Sequence, residues 1–250
     1  MKKIIYTAIA LISIGFYNPI KAQAGDGVTN PSGYFEFSFG LAEPVGNFVK
    51  HPGSAYSGYA MSGDNFNISL GIPISQSNFG VALMYGYYHN NFDMNNYVNY
   101  IATTDSSKKP YQVQQQSAYN ENIIMGGLYA TIPFQNLSID FRVMGGAAFC
   151  NLPEVSYSAT QSVFLGTDNY SWDTYASKAS AFAFGAGADI RYRFGFMSLM
   201  VGIDYLTATP TVNTTQQYTD PSGNISYSHV SGNMPISLVS AYIGIAYQIW

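Results

Sequence analysis

The sequence predicts an all-β fold, an eight-stranded antiparallel up-and-down transmembrane β-barrel with short periplasmic turns and long extracellular loops. Three observations lead to this prediction. Apolar and polar residues alternate with a period of two along eight segments, which is typical of strands with two different faces. Short and long connections alternate between these segments. Only 10% of the residues are charged, while Tyr and Phe number 22 and 16, which is unusual for a surface that meets water throughout.

The sequence predicts eight strands, and tight turns join the second to the third, the fourth to the fifth and the sixth to the seventh. Their ranges are Gly33–Ala42, Phe66–Ile74, Phe79–Tyr87, Ile123–Phe134, Leu137–Phe149, Ala179–Phe194, Phe196–Thr207 and Ile236–Trp250. Tight turns are predicted at Ser75–Asn78, Gln135–Asn136 and Gly195, and long polar loops at Glu43–Gly63, Asn90–Asn120, Asn151–Lys178 and Ala208–Pro235. Because the number of strands is even, both ends of the barrel chain lie on the periplasmic side.

The charged residues of the strands indicate which face points into the barrel. All seven lie opposite the bulky apolar residues, namely Glu36, Asp140, Arg142, Asp189, Arg191, Arg193 and Asp204. The interior of an eight-stranded barrel is just wide enough for packed side chains, so it could not hold the Phe, Leu, Ile and Tyr residues of the other face. The bulky residues are therefore predicted to face lipid. A soluble lipocalin-like barrel would alternate in the same way and is the alternative.

The predicted lumenal charges suggest a network of ion pairs. Asp140 and Arg142 lie near the periplasmic start of the fifth strand, and Asp189, Arg191 and Arg193 lie near the periplasmic end of the sixth. Opposite charges can therefore pair across this strand boundary, which relieves the cost of a charge removed from water. We interpret the network as structural. A proton or ion path is the alternative.

The N-terminal segment has the pattern of a secretory signal peptide. Lys2 and Lys3 precede an apolar run, Ile4–Tyr17, and Ala22-Gln23-Ala24 supplies a cleavage pattern of small residues. We therefore predict a signal peptide over residues 1–24 and a barrel domain over residues 25–250, with cleavage after Ala22 as a second option. Without Lys2, Lys3 and Lys21 the ten basic residues fall to seven against 14 acidic ones, a net charge of −7, which argues against a nucleic-acid partner.

Two segments carry a resemblance to a known group of proteins. The chain ends on an amphipathic strand with Tyr247, Ile249 and Trp250, and the segment Phe37–Phe48 contains Gly40-Leu-Ala-Glu-Pro-Val-Gly46-Asn-Phe48. The mature chain resembles the small eight-stranded outer-membrane barrels of Gram-negative bacteria, the OmpA/OmpX/OmpW-like group, and this segment resembles the beginning of Bacteroidota-type outer-membrane barrels. It differs from OmpA in carrying no periplasmic peptidoglycan-binding domain.

The resemblance implies a location and a set of partners. The protein is expected in the cell outer membrane, in contact with lipid and lipopolysaccharide, and the last strand is expected to be the signal read by the barrel assembly machinery. Trp250 falls on the opposite parity to the apolar residues Val239–Ile249. Either a bulge near Gln248 shifts the register, or Tyr247 and Ile249 make the outward contacts and Trp250 caps the mouth of the lumen.

The functional prediction is a non-enzymatic membrane protein that acts through its long loops, on an extracellular protein or glycan. An OmpW-like conduit for small hydrophobic compounds, with a pocket near Met84, Met125 and Met144, is the first alternative. The second is a lipid A-modifying enzyme in which His89 or His229 would act with Ser228, Ser231 or Asp93. No catalytic motif is matched, so no catalytic residue, cofactor or metal site is predicted. The three histidines, which include His51, lack the spacing of metal ligands.

Overall fold

The computed structural model describes residues 33–49, 58–75, 77–104, 111–163 and 166–249. In this part of the chain there are thirteen strands and one helix. The strands are β1 Tyr34–Pro44, β2 Ala60–Pro73, β3 Phe79–Phe92, β4 Tyr111–Gln116, β5 Tyr119–Phe134, β6 Leu137–Asn151, β7 Val155–Val163, β8 Gly166–Thr174, β9 Lys178–Phe194, β10 Met197–Ala208, β11 Thr211–Thr219, β12 Ile225–Asn233 and β13 Ile236–Gln248, and the helix is α1 Met94–Thr104.

Eight of these strands form a closed antiparallel barrel, in the order β1-β13-β10-β9-β6-β5-β3-β2. The last strand closes the barrel against the first, from the pair Tyr34–Gln248 to the pair Pro44–Leu238. Closure gives the backbone groups of both strands a partner, so neither remains an open edge. The predicted eight-stranded barrel is confirmed, and the predicted tight turns all lie at one end, which we call the turn end. The opposite end is called the loop end.

The two faces of the barrel wall differ as the alternation predicts. Along β1, Glu36, Ser38 and Ala42 are buried in the lumen, whereas Phe39 and Leu41 are 62% and 68% exposed on the outside. Phe182 and Leu128, on two other strands, are 74% and 62% exposed. A wall of exposed Phe, Leu, Ile and Val with its charges turned inward is the surface of a transmembrane barrel, because only lipid leaves such a face without cost. This surface excludes the soluble barrel.

The middle of the lumen is filled by apolar side chains. Met84, Met125 and Met144 are each at most 3% exposed, and they belong to one buried cluster with Leu206 and Leu238. Met is unbranched and fits irregular gaps, which suits a lumen whose wall carries many glycines. The seven charged residues predicted for the lumen lie between this apolar layer and the turn end.

The strands are longer than predicted, and the long loops are folded. β2 begins at Ala60 and β5 at Tyr119, and the segments predicted as polar loops contain α1, β4, β7, β8, β11 and β12. The five additional strands form a second sheet, in the order β12-β11-β8-β7-β4, which we call the loop sheet. The sequence of β11, Thr-Val-Asn-Thr-Thr-Gln-Gln-Tyr-Thr, is rich in β-branched residues, which favour strands although they are polar. The long connections that the sequence predicts are present, but the strands and the helix within them were not predicted.

Three sequence predictions fall wholly or partly outside the described residues. They are the signal peptide over residues 1–24, the part of Trp250 in the assembly signal, and the place of His51 among the histidines. At the end of β13, Tyr247 and Ile249 are 39% and 43% exposed on the outer face. The pairing of β13 runs without a register shift as far as Gln248 with β1 and as far as Tyr247 with β10. The described part of the chain contains no helix that is long and apolar enough to cross a bilayer.

The lipid-facing surface predicts that an added charge destabilises the protein on the outer wall of the barrel but not on the loop sheet. Leu128→Arg places a guanidinium on the outer wall, and we expect it to lower the free energy of unfolding in lipid vesicles by about 2–4 kcal/mol. Tyr227→Arg, at a residue of the loop sheet with 61% exposure, is the matched control and should change stability little. Urea unfolding followed by tryptophan fluorescence measures both. Equal effects of the two substitutions would contradict the assignment of the outer wall to lipid.

Candidate functional site

Arg142 lies at the centre of the lumenal charges. It projects from β6, and its guanidinium donates two hydrogen bonds to Asp204 on β10, from Nε to Oδ1 at 3.0 Å and from Nη2 to Oδ2 at 2.7 Å. Such a bidentate pair fixes both side chains, because the planar guanidinium matches the carboxylate. Nη2 also donates to the hydroxyl of Tyr242 on β13. Arg142 therefore connects β6 to two strands that do not adjoin it.

Arg191 is the second cation of this network. Its Nη2 lies 2.9 Å from Oδ2 of Asp140, and its guanidinium stacks over the ring of Tyr34 at 4.1 Å from the ring centroid. Glu36 lies between the two arginines, 3.7 Å from each. Asp189 occupies a similar position, 3.6 Å from Arg142 and 3.8 Å from Arg191. The two guanidinium groups are thus shared among four carboxylates.

The strand register places two carboxylates opposite each other, and an arginine offsets their repulsion. Asp140 and Asp189 stand directly opposite each other on β6 and β9, a destabilising arrangement for like charges. Arg191 approaches both carboxylates, so it compensates their repulsion. Space for the network comes from glycines, since a Cβ at Gly187 would overlap the carboxylate of Asp204 and a Cβ at Gly202 would overlap the hydroxyl of Tyr242.

Arg193 occupies a different place from the other predicted lumenal charges. It lies at the turn end of β9 and is less buried than Arg142. When the amide of Gln248 is oriented so that its oxygen faces Arg193, that oxygen accepts hydrogen bonds from Nε at 2.6 Å and Nη2 at 3.1 Å. Six of the seven predicted residues, Glu36, Asp140, Arg142, Asp189, Arg191 and Asp204, are therefore in mutual contact, and Arg193 contacts the end of β13.

A further acidic residue of the lumen was not predicted from the sequence. Glu121 lies near the loop end of β5 and is fully buried, and Asn65 and Asn90 are at most 2% exposed. The predicted strand began at Ile123, so Glu121 was assigned to no strand. The alternation Tyr119, Glu121, Ile123, Met125 would have revealed it, because these residues share the inward parity of β5.

Aromatic residues close the lumen at its loop end. Phe48 packs against Tyr119 with ring centroids 5.0 Å apart, and Phe92 packs between Tyr119 and Tyr59 at 6.1 and 6.0 Å. The hydroxyl of Tyr119 donates a hydrogen bond to the carbonyl oxygen of Gly58 at 2.7 Å, which fastens the segment before β2 to the barrel. We call Phe48, Tyr59, Phe92 and Tyr119 the aromatic cap.

The loop sheet carries a row of stacked rings on one face. Trp172 on β8 lies 5.2 Å from Tyr157 on β7 and 5.4 Å from Tyr218 on β11, measured between ring centroids. Tyr97 of α1 packs on Tyr157 at 6.0 Å, so the helix covers part of the same face. Burial raises the pKa of the Tyr97 hydroxyl above its ordinary value. These rings contact one another and stabilise the sheet.

The edge strand β12 is the most accessible element of the loop sheet. All nine of its residues are exposed, including Ile225, Tyr227 and Val230 at 55%, 61% and 47%. It pairs with β11, from Thr211–Asn233 to Thr219–Ile225, and no described residue pairs with its other side. Its sequence, Ile-Ser-Tyr-Ser-His-Val-Ser-Gly-Asn, contains none of the charges or prolines with which soluble proteins protect an edge.

The histidines of the enzyme hypothesis have neutral partners. Nδ1 of His89 lies 2.9 Å from Oδ1 of Asn120, and Nδ1 of His229 lies 3.1 Å from Oγ1 of Thr215. Asp93 caps α1 by accepting the backbone N–H of Asn96 at 3.1 Å. Over the described ranges, no group of three or more His, Cys, Asp and Glu side chains is placed to hold a metal ion.

Comparison with known proteins returns similarities of fold. No protein-family model and no curated protein sequence matches the chain. Among solved structures, the neisserial surface protein A is similar with a TM-score of 0.46 and 12% identity, over 87% of this chain and 97% of that one. A major outer membrane protein of Thermus thermophilus also has a TM-score of 0.46 and 12% identity, over 88% of this chain and 100% of that one. An outer membrane channel of Pseudomonas putida has a TM-score of 0.29 and 8% identity, over 92% of this chain and 100% of that one.

The ion network predicts that the stability of the barrel depends strongly on the side chain of Arg142. Arg142→Met leaves Asp204 and its neighbours without their main counter-charge, and we expect a loss of about 3–5 kcal/mol in the free energy of unfolding. In the double variant Arg142→Met with Asp204→Asn the loss should be smaller than the sum of the two single effects, because the two residues interact directly. Arg193→Met is the control at the turn end. Additive effects in this cycle would contradict the pairing.

Proposed function

We propose that this chain is a non-enzymatic integral outer-membrane protein that contacts a protein outside the cell through its loop sheet. The observation that carries the proposal is the accessible edge strand β12. An unpaired strand edge presents a row of backbone donors and acceptors, and an extended segment of another protein can add to it as a further strand. The side chains of Tyr227 and Val230 would supply apolar contacts on either face of that added strand.

The hairpin that presents β12 is held in shape by its turn. The carboxylate of Asp220 accepts hydrogen bonds from the backbone N–H groups of Ser222 at 2.9 Å and Asn224 at 2.8 Å, and from the side-chain amide of Asn224 at 2.9 Å. The hydrogen bonds from Asn224 lower the pKa of Asp220 below its usual value. A preformed strand loses less conformational entropy on binding than a flexible loop, which favours this element as a contact surface.

The location follows from the barrel and from the N-terminal sequence. Export by the signal peptide over residues 1–24 would deliver residues 25–250 to the outer membrane, where lipid and lipopolysaccharide surround the barrel. The assembly machinery would recognise the final strand through Tyr247, Ile249 and Trp250. In this orientation the turn end faces the periplasm and the loop sheet faces the outside, as in transmembrane barrels with short and long connections.

The two alternative functions receive less support. A conduit for small hydrophobic compounds needs an open apolar path, whereas Met84, Met125 and Met144 are packed in the lumen and the aromatic cap lies above them. A lipid-modifying enzyme needs a histidine that is activated by an acid, whereas His89 and His229 contact an amide and a hydroxyl. A contact function is supported by the accessible edge strand β12 of the loop sheet.

Site-specific cross-linking in living cells tests the contact function. We expect p-benzoylphenylalanine introduced at Ser228 of β12 to give a discrete cross-linked protein band on irradiation, because an added strand would lie within reach of this side chain. The same group at Thr167, an exposed residue of the hairpin β7–β8, is the matched control. Val230→Lys should remove the band by placing a charge at the edge. Cross-links to lipopolysaccharide alone, or equal bands from both positions, would contradict the proposal.

The packed lumen predicts that the barrel does not conduct ions. Purified protein inserted into planar lipid bilayers should show no stable single-channel conductance, because the charge network, the methionine layer and the aromatic cap fill the lumen in succession. Uptake of a small apolar dye into vesicles should equal that of protein-free vesicles. Regular conductance steps, or dye uptake that depends on the protein, would favour the conduit instead.

A further inference from the structure

The buried acids of the lumen outnumber the buried cations. Among the described residues of the lumen interior, five buried carboxylates, those of Glu36, Glu121, Asp140, Asp189 and Asp204, stand against the guanidinium groups of Arg142 and Arg191. The arginines contact four of these acids and leave out Glu121. An uncompensated charge in a site removed from bulk water is costly, so the excess of negative charge requires a further positive charge or a proton.

Glu121 has an environment that is suited to a cation. Its side chain is fully buried, and neither carboxylate oxygen has a hydrogen-bond partner on another described residue. The aromatic cap covers it at the loop end, since Tyr119 precedes it by one inward position on β5. A carboxylate in this position has lost its water without gaining a donor from the protein.

Two buried asparagines share the inward face of the wall beside Glu121, one on the adjoining strand β3 and one on β2, the strand beyond it. Asn90 on β3 is oriented by two hydrogen bonds, since its Nδ2 donates to the carbonyl oxygens of Ala42 and Met61 at 2.9 Å each. Its Oδ1, also buried, has no partner among the described residues. Both polar atoms of the Asn65 side chain on β2 are buried and lack a described partner as well. The wall therefore offers one carboxylate and two amide oxygens that point into the same end of the lumen.

The strand register brings these three residues together. Glu121 and Asn65 are the two cross-strand neighbours of Tyr88, and Asn90 follows Tyr88 on the same inward face of β3. The ring of Tyr88 lies across Gly86, as its Cε2 atom would be 2.7 Å from a Cβ at that glycine, so the ring is directed toward the turn end. The Tyr88 ring is thus turned away from Asn90, and Glu121, Asn65 and Asn90 share the inward face around the backbone of Tyr88.

We propose that Glu121, Asn65 and Asn90 form a binding site for a divalent cation of the Ca²⁺ type in the loop end of the lumen. Carboxylate and amide oxygens are the ligands that Ca²⁺ takes, with water completing its coordination, and Ca²⁺ accepts an irregular arrangement that Mg²⁺ does not. Two positive charges also offset the excess acid of the lumen. The cation would fasten β2, β3 and β5 to one another directly beneath the aromatic cap.

Thermal unfolding of the full chain tests the proposal, in detergent and free of lipopolysaccharide, which itself binds divalent cations. At a Ca²⁺ concentration about a hundred times the dissociation constant, Tm should be higher than in EDTA by about 5 °C or more. Mg²⁺ at equal ionic strength should raise Tm less. Glu121→Gln removes the charge with almost the same shape and should abolish the Ca²⁺ effect. Glu43→Gln, at an exposed acid near the loop end of β1, is the matched control and should retain it.

A second variant keeps the test decisive if Glu121→Gln folds poorly. Asn65→Asp adds a second carboxylate to the site, so the Ca²⁺-dependent rise in Tm should become larger than in the unmodified protein. Isothermal titration calorimetry should show one Ca²⁺ per chain. Stabilisation by Na⁺ alone, an equal Ca²⁺ effect in Glu121→Gln, or an unmodified protein that does not respond to Ca²⁺ while Glu121→Gln raises its Tm would overturn the proposal. The last result would mean that Glu121 is held in its protonated form.

Discussion

The width of an eight-stranded barrel is the constraint on which the rest of this structure depends. Eight strands enclose a lumen that a single layer of facing side chains fills, so each inward position must match the one across from it. Arg142 reaches Asp204 because Gly187 leaves room beside it. The same narrow lumen excludes the Phe and Leu side chains of β1, which therefore lie on the outer wall. Lipid then becomes the solvent that this wall requires.

The lumen has a layered order along its axis. The ion network lies nearest the turn end, the methionines and leucines lie in the middle, and Glu121 with the asparagines lies beneath the aromatic cap. Polar groups at both ends and an apolar layer between them mean that a charge moving along the lumen would have to cross the methionine layer without water. This arrangement favours a structural role for the buried charges over a proton or ion path.

The barrel could be predicted from the sequence because period-two alternation is a local signal that survives in every strand. The interior set Glu36, Arg142 and Asp189 followed from the same parity. The partners of each charge could not be predicted, because Arg142 donates its hydrogen bonds to Asp204 on β10, which β9 separates from β6, and not to a residue on the adjoining strand. The loop sheet was missed for another reason. The sequence of β11 is polar on both faces and shows no amphipathic pattern. The loop sheet is stabilised by the stacking of Trp172 on Tyr157, its partner in one hairpin, and on Tyr218 of a second hairpin.

The glycines beside the ion network have a consequence for how this sequence can vary. A Cβ at Gly187 would occupy the position of the Asp204 carboxylate, and Asp204 is the bidentate partner of Arg142. Residues 142, 187 and 204 lie on three consecutive strands of the barrel, so a change at one of them alters the space or the charge available to the other two. In related sequences we therefore expect these three positions to vary together: an alanine at position 187 should accompany a shorter or neutral residue at position 204 and the loss of the arginine.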